Sequence, residues 1–135
     1  MGLDTASPSP ESDDRRGDGL DRAFRLLKLI RDYNHSRFPF LRTQLDFDLL
    51  LFIGHRQTLE KPMNLTDILT SNLGSVSTVV RHLGRLEKLG VVVKRKAATD
   101  KRNVHYFLAQ NHLTAMRELM EHLQREGGGL LASGQ

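Results

Sequence analysis

The feature that most constrains this chain is a change of period at Gly90. From Val76 to Leu89 the apolar residues Val76, Val79, Val80, Leu83, Leu86 and Leu89 recur at three- and four-residue steps, the spacing of one helix face. Ser75 precedes this run as an N-cap, and Gly90 ends it, with Lys88 in the last turn where the helix dipole favours a cation. Three β-branched residues, Val91 to Val93, then open a strand. Residues 94–102 (KRKAATDKR) read as a polar, mostly basic hairpin loop, and Val104, Tyr106 and Leu108 alternate with His105 and Phe107 as the return strand. Upstream, Asn64 caps a short helix with Asp67 three residues on, a capping box using Asp for Glu, and Leu65, Ile68 and Leu69 supply its buried side. Asn72-Leu73-Gly74 is the turn between the helices, with Gly74 expected to take the left-handed backbone. Two helices joined by such a turn and followed at once by a basic hairpin make a winged helix-turn-helix.

The flanks are helical. Leu20, Ala23, Phe24, Leu27, Ile30 and Tyr33 mark a first helix over 20–33, and Leu26 and Leu29 widen its stripe beyond what one packing face needs. After Phe38-Pro39-Phe40, Thr43 caps a second helix with Leu45, Leu49, Leu50, Phe52 and Ile53 apolar, ended by Lys61-Pro62. A last helix over 111–125 carries Leu113, Met116, Leu119, Met120 and Leu123. The expected fold is mainly α with a small β-hairpin, in the order α-α-α-turn-α-β-wing-β-α. Residues 1–18, rich in Ser, Pro, Asp and Gly, are expected to be a disordered acidic tail, 19–126 the winged-helix domain, and 127–135 a flexible tail.

Charge is distributed unevenly. The 135 residues carry a formal +4, but residues 1–18 hold five acids and two bases and 127–135 hold neither, which leaves +7 on 19–126. A basic balance of that size suggests a polyanionic partner. Removing the apolar stripe from 76–89 leaves Ser77, Thr78, Arg81, His82, Arg85 and Lys88 as the expected outward face. In a helix-turn-helix that face enters the major groove, where Arg bonds bidentately to guanine. The hairpin adds Lys94, Arg95, Lys96, Lys101 and Arg102, five cations in nine residues with Asp100 the sole acid. Double-stranded DNA is therefore the expected partner. The alternative is a winged-helix adaptor whose basic face binds an acidic protein.

Other classes find little support. There is no Cys, hence no disulfide, thiolate metal site or thiol redox switch. His105, His112 and His122 lack the spacing of a helical metal site, and no phosphate loop, nucleophile elbow or distinctive acid pair suggests an enzyme or a cofactor. The longest apolar run, Leu49 to Ile53, is far too short to span a membrane, and Met1 to Pro10 has no secretory character, so a cytoplasmic protein is expected.

The stretch from Ser77 to Gly90 (STVVRHLGRLEKLG) resembles the recognition helix of MarR-type transcriptional regulators, whose pattern is close to S-T-V-x-R-x-[LV]-x-x-L-E-x-x-G. Thr99-Asp100-Lys101-Arg102 is similar to that family's D-x-R wing tip, and Pro62 to Leu69 to its entry into the motif. The likeness covers about residues 43–110. It implies a homodimer on a pseudo-palindromic site, with the helix 76–89 in the major groove and the wing 94–102 at the minor groove. Ser77, Thr78 and Arg81 would face bases, Arg102 the minor groove, and Asp100 would shape the wing by pairing with Arg102. The sequence departs from the family at Asn72 and in its short C-terminal region. Only some 16 helical residues follow the wing, so the dimer is expected to rest on residues 20–33 and 111–125. The resemblance leaves room for a small-molecule effector, for which the residues themselves give no support.

Overall fold

The computed structural model describes residues 10–96 and 103–126, with side chains from residue 19 onward. The elements run α1 (Pro10–Arg37), α2 (Gln44–Thr58), α3 (Leu65–Leu69), α4 (Val76–Lys88), β1 (Val92–Lys96), β2 (Val104–Leu108) and α5 (Gln110–Glu126). Their order is the one read from the sequence. The chain divides into two compact units, one built from α1 with the residues from Leu119 onward, the other from Phe38–Glu118.

In the larger unit, Leu49, Leu50 and Ile53 of α2, Ile68 of α3, Val79, Leu83 and Leu86 of α4, and Val91, Val92 and Leu108 at the hairpin are buried together. Fully burying one such side chain is worth about 1.5–3 kcal/mol. The α2–β2 approach is close enough that a Cβ on Gly54 would lie 2.8 Å from Leu108 Cδ1. The strands are antiparallel, pairing Val92 with Leu108 through to Lys96 with Val104. Met63 bridges Tyr106, whose N–H donates to the Met63 carbonyl at 2.8 Å, and so ties the segment before α3 to the hairpin.

Local chemistry sets the ends of these helices. Thr43 with Asp46, and Asn64 with Asp67, form reciprocal capping boxes, and the Ser75 side chain accepts from the Thr78 N–H. Gly90, at φ 75°, follows α4 in a Schellman arrangement: its N–H bonds to Glu87 O and the Val91 N–H to Leu86 O. The end of α2 has the same bonds, Glu60 N–H to Gln57 O and Lys61 N–H to Arg56 O, but with Glu60 in the left-handed region at φ 59°.

Three boundaries and one turn conformation differ from the sequence reading. The first helix begins at Pro10, so residues 10–18, expected in a disordered tail, are helical. Pro at the first helical position and acids in the opening turn are helix-start signals that outweighed the polar composition. The same helix runs past 33 to Arg37, because the next breaker is the pre-proline Phe38. In the turn between α3 and α4, Asn72 rather than Gly74 takes positive φ, at 60°; Asn tolerates that region through its short polar side chain. Finally, β1 continues to Lys96, so Lys94, Arg95 and Lys96 are strand residues rather than loop residues. Ladder pairing with Tyr106, His105 and Val104 decides this over polarity. The tails expected over 1–9 and 127–135 lie outside the described residues.

In the smaller unit, Leu26 and Leu119 are buried, while Leu20, Phe24, Leu27 and Met120 are each more than half exposed. Tyr33 packs its ring 5.7 Å from that of His122 and lies under the Arg37 guanidinium. Among the described residues, no helix is long and apolar enough to cross a membrane.

Candidate nucleic-acid interface

α4 turns about 100° per residue, which sorts its side chains around the axis. Val79, Leu83 and Leu86 point into the core. Ser77, Arg81, Gly84 and Lys88 lie on the opposite side and are exposed. Among the described residues, the side chains of Arg81 and Lys88 make no hydrogen bond or ion pair. A Cβ on Gly84 would meet nothing within 4 Å. Val80, assigned to the apolar stripe by its spacing, is instead 46 % exposed beside Arg81, and Val76 is 59 % exposed. Along the helix the exposed residues therefore present a hydroxyl, an apolar branch, a cation, a bare backbone and a second cation in succession.

Thr78 is half-buried, its hydroxyl accepting from Ser75 Oγ at 2.8 Å, so it helps to close the helix start. His82 and Arg85 do not face outward as the sequence reading expected. They sit on one flank, about 60° and 120° from the centre of the apolar stripe, and turn toward the N-terminus of α2. There His82 Nδ1 lies 2.8 Å from Asp46 Oδ1, and Arg85 donates to Asp46 Oδ2 at 3.3 Å and to the Phe40 carbonyl at 2.8 Å. The physical reason is Asp46 itself, a fully buried carboxylate that must be paired to remain in the interior. Burial pushes its pKa up, but the His82 hydrogen bond and the N–H groups of Arg42 and Thr43 more than offset this and hold it below the usual carboxylate range.

The hairpin supplies a second set of cations. Lys94 Nζ is 3.2 Å from Glu87 Oε2, a pair between an exposed lysine and a half-buried glutamate that links β1 to α4 and raises the Lys94 pKa. The Arg95 guanidinium lies over the Phe107 ring, 5.1 Å from its centroid. Lys96 is exposed at the end of β1. Asp100, Lys101 and Arg102 lie outside the described residues. Sequence reasoning missed Val80, Gly84 and Asp46. For the first two, helical angles measured from the buried centre of α4 carry the signal. Asp46 is legible locally as the N3 partner of the Thr43 cap, but its bonds to α4 span 36 and 39 residues.

Neither a protein-family model nor a curated protein sequence matches this chain. Solved structures do match it. A MepR point mutant from a multidrug-resistant S. aureus clinical isolate superposes with a TM-score of 0.62 at 16% identity, over 96% of this chain and 86% of that one. RV1404 from Mycobacterium tuberculosis gives 0.55 at 23% identity, over 95% and 82%. An S. aureus MepR mutant bound to an oligodeoxyribonucleotide gives 0.54 at 14% identity, over 84% and 82%. These neighbours are MarR-type transcriptional regulators. The chain has the fold of the MarR-type winged-helix regulators.

Proposed function

We propose that this protein is a double-stranded-DNA-binding transcriptional regulator that acts as a homodimer on a pseudo-palindromic site. The observation that carries the reading is the outer face of α4, where Ser77, Arg81 and Lys88 stand exposed on a helix whose opposite side buries Val79, Leu83 and Leu86. Laid in the major groove, Arg81 reaches guanine O6 and N7, Ser77 donates or accepts at a base edge, and Val80 meets a thymine methyl. Gly84 lets the backbone approach the groove. Lys88, Lys94, Arg95 and Lys96 neutralise phosphates, and the wing residues Lys101 and Arg102, shaped by Asp100, lie at the minor groove. The existence of a MepR mutant bound to an oligodeoxyribonucleotide supports this use of the fold.

The homodimer forms through 20–33 and 111–125. Its support is the exposed row Leu20, Phe24 and Leu27 on α1 and Met120 on α5, an apolar surface larger than scattered single residues would make. Gel shift on pooled genomic fragments at about 0.15 M salt tests the function. Discrete retained fragments are expected, with log affinity falling by about 0.9 per log salt for each phosphate neutralised. Weak, uniform, salt-labile smearing would instead support an adaptor for an acidic protein.

A further inference from the structure

Asp46 is the one fully buried charged side chain among the described residues. Its two oxygens take four partners: the N–H groups of Arg42 (2.9 Å) and Thr43 (3.1 Å), His82 Nδ1 (2.8 Å) and Arg85 Nη1 (3.3 Å). Capping α2 does not call for this. Asp67 performs the same capping task at α3 with its side chain 38% exposed and a single distant cation, Arg56, at 3.9 Å. What Asp46 adds is a set of directional bonds to the middle of α4.

The apolar contacts of Val79, Leu83 and Leu86 hold α4 onto the core, but hydrophobic attraction is non-directional and tolerates rotation and sliding of the helix. Hydrogen bonds weaken steeply with distance and angle, so three of them converging on one flank fix both. The third, from Arg85 Nη2 to Phe40 O, anchors on a loop that is itself packed: the Phe40 ring lies 5.0 Å from that of His112 and 5.9 Å from that of Phe38. His82 and Arg85 adjoin Arg81 and Gly84 in sequence, so the rotation they fix is the one that sets where Arg81 points.

We propose that Asp46 is a positioning residue for base recognition. It holds α4, through His82 and Arg85, at the rotation in which Ser77, Val80 and Arg81 present together to the groove. This rests on the DNA-binding reading above and assigns specificity, rather than bulk affinity, to a residue that touches no DNA. Non-specific affinity comes from phosphate neutralisation and is indifferent to small rotations of one helix. Asp46→Asn removes a negative charge, so electrostatics alone would strengthen binding to any DNA, whereas loss of positioning weakens binding to the preferred site only.

The test compares full-length wild type, Asp46→Asn, His82→Leu and His82→Gln. Each is assayed on a site selected from random DNA and on an unrelated duplex, at one salt concentration and below the unfolding transition. Asp46→Asn is expected to lower the ratio of specific to non-specific affinity about tenfold or more, and His82→Leu several-fold. His82→Gln, which keeps a donor toward Asp46, is expected to stay within about twofold of wild type. If Asp46→Asn does not fold, the two His82 variants decide by the same ratio. Unchanged ratios in a wild type that selects a site overturn the positioning role and leave the DNA-binding reading intact. A wild type that selects no site overturns that reading, and the positioning role falls with it.

Discussion

α1 and α4 are both amphipathic, and they leave opposite residues uncovered. α4 buries Val79, Leu83 and Leu86 and turns the cations Arg81 and Lys88 outward, with Val76 and Val80 the apolar exceptions. α1 buries Leu26 and turns Leu20, Phe24 and Leu27 outward. An exposed charged face costs nothing in water and is spent when a polyanion displaces its counterions. An exposed apolar face is unfavourable in water and is relieved when a second apolar surface covers it. In the function proposed above, the uncovered residues match the kind of partner: DNA for α4, another copy of this chain for α1.

The contrast can be broken at either helix. The largest effect is expected at α1. Leu27→Glu forfeits about 1.5–3 kcal/mol of burial in each protomer, so the dimer dissociation constant should rise at least about a hundredfold. Light scattering at tens of micromolar should then report a monomer for the variant, and a dimer is expected for the wild type. At α4, Arg81→Ala should cost about 1–3 kcal/mol on the preferred site and relax the base preference there, leaving the oligomeric state unchanged.

Gly84→Ala sharpens the comparison by separating folding from binding. At an open helical position Ala is favoured over Gly by about 0.8–1.0 kcal/mol, so thermal unfolding should move upward while affinity for the selected site falls several-fold. If affinity is unaltered, the backbone at Gly84 does not approach DNA. Acid titration reports on the flank of α4. Because the pKa of Asp46 is lowered in the folded protein, its stabilising contribution is complete above its unfolded value of about 3.9 and is lost as pH falls through the folded one. Denaturant midpoints below about pH 4 should therefore decline more steeply for wild type than for Asp46→Asn. The smallest effect is expected away from both faces. Glu60→Gly relieves a left-handed non-glycine residue, which should raise stability by about 1 kcal/mol without changing DNA binding.

What was legible in the sequence follows the range of the interactions involved. The Ser75 and Asn64–Asp67 caps and the Gly90 stop could be read because each is settled within three or four residues. The element order could be read because hydrophobic period is local as well. The start of α1 at Pro10 is obscured by the polar composition of 10–18, which hides its helix-start signals. The strand character of Lys94 to Lys96 was hidden because it depends on partners ten or so residues away. The inward turn of His82 and Arg85 was the least legible. It is imposed by a buried carboxylate on another helix, and nothing near residue 82 in the sequence announces Asp46.

Selection of bound sequences from random duplex DNA, run in parallel on wild type and Arg81→Ala, tests most directly whether the outer face of α4 reads DNA as one of a pair. The account predicts an enriched inverted repeat for wild type, with half-site centres about 10 base pairs apart or a multiple of that, and lost preference at one position in each half-site for Arg81→Ala. No enriched sequence in the wild type, or the same enriched repeat from both proteins, would contradict it.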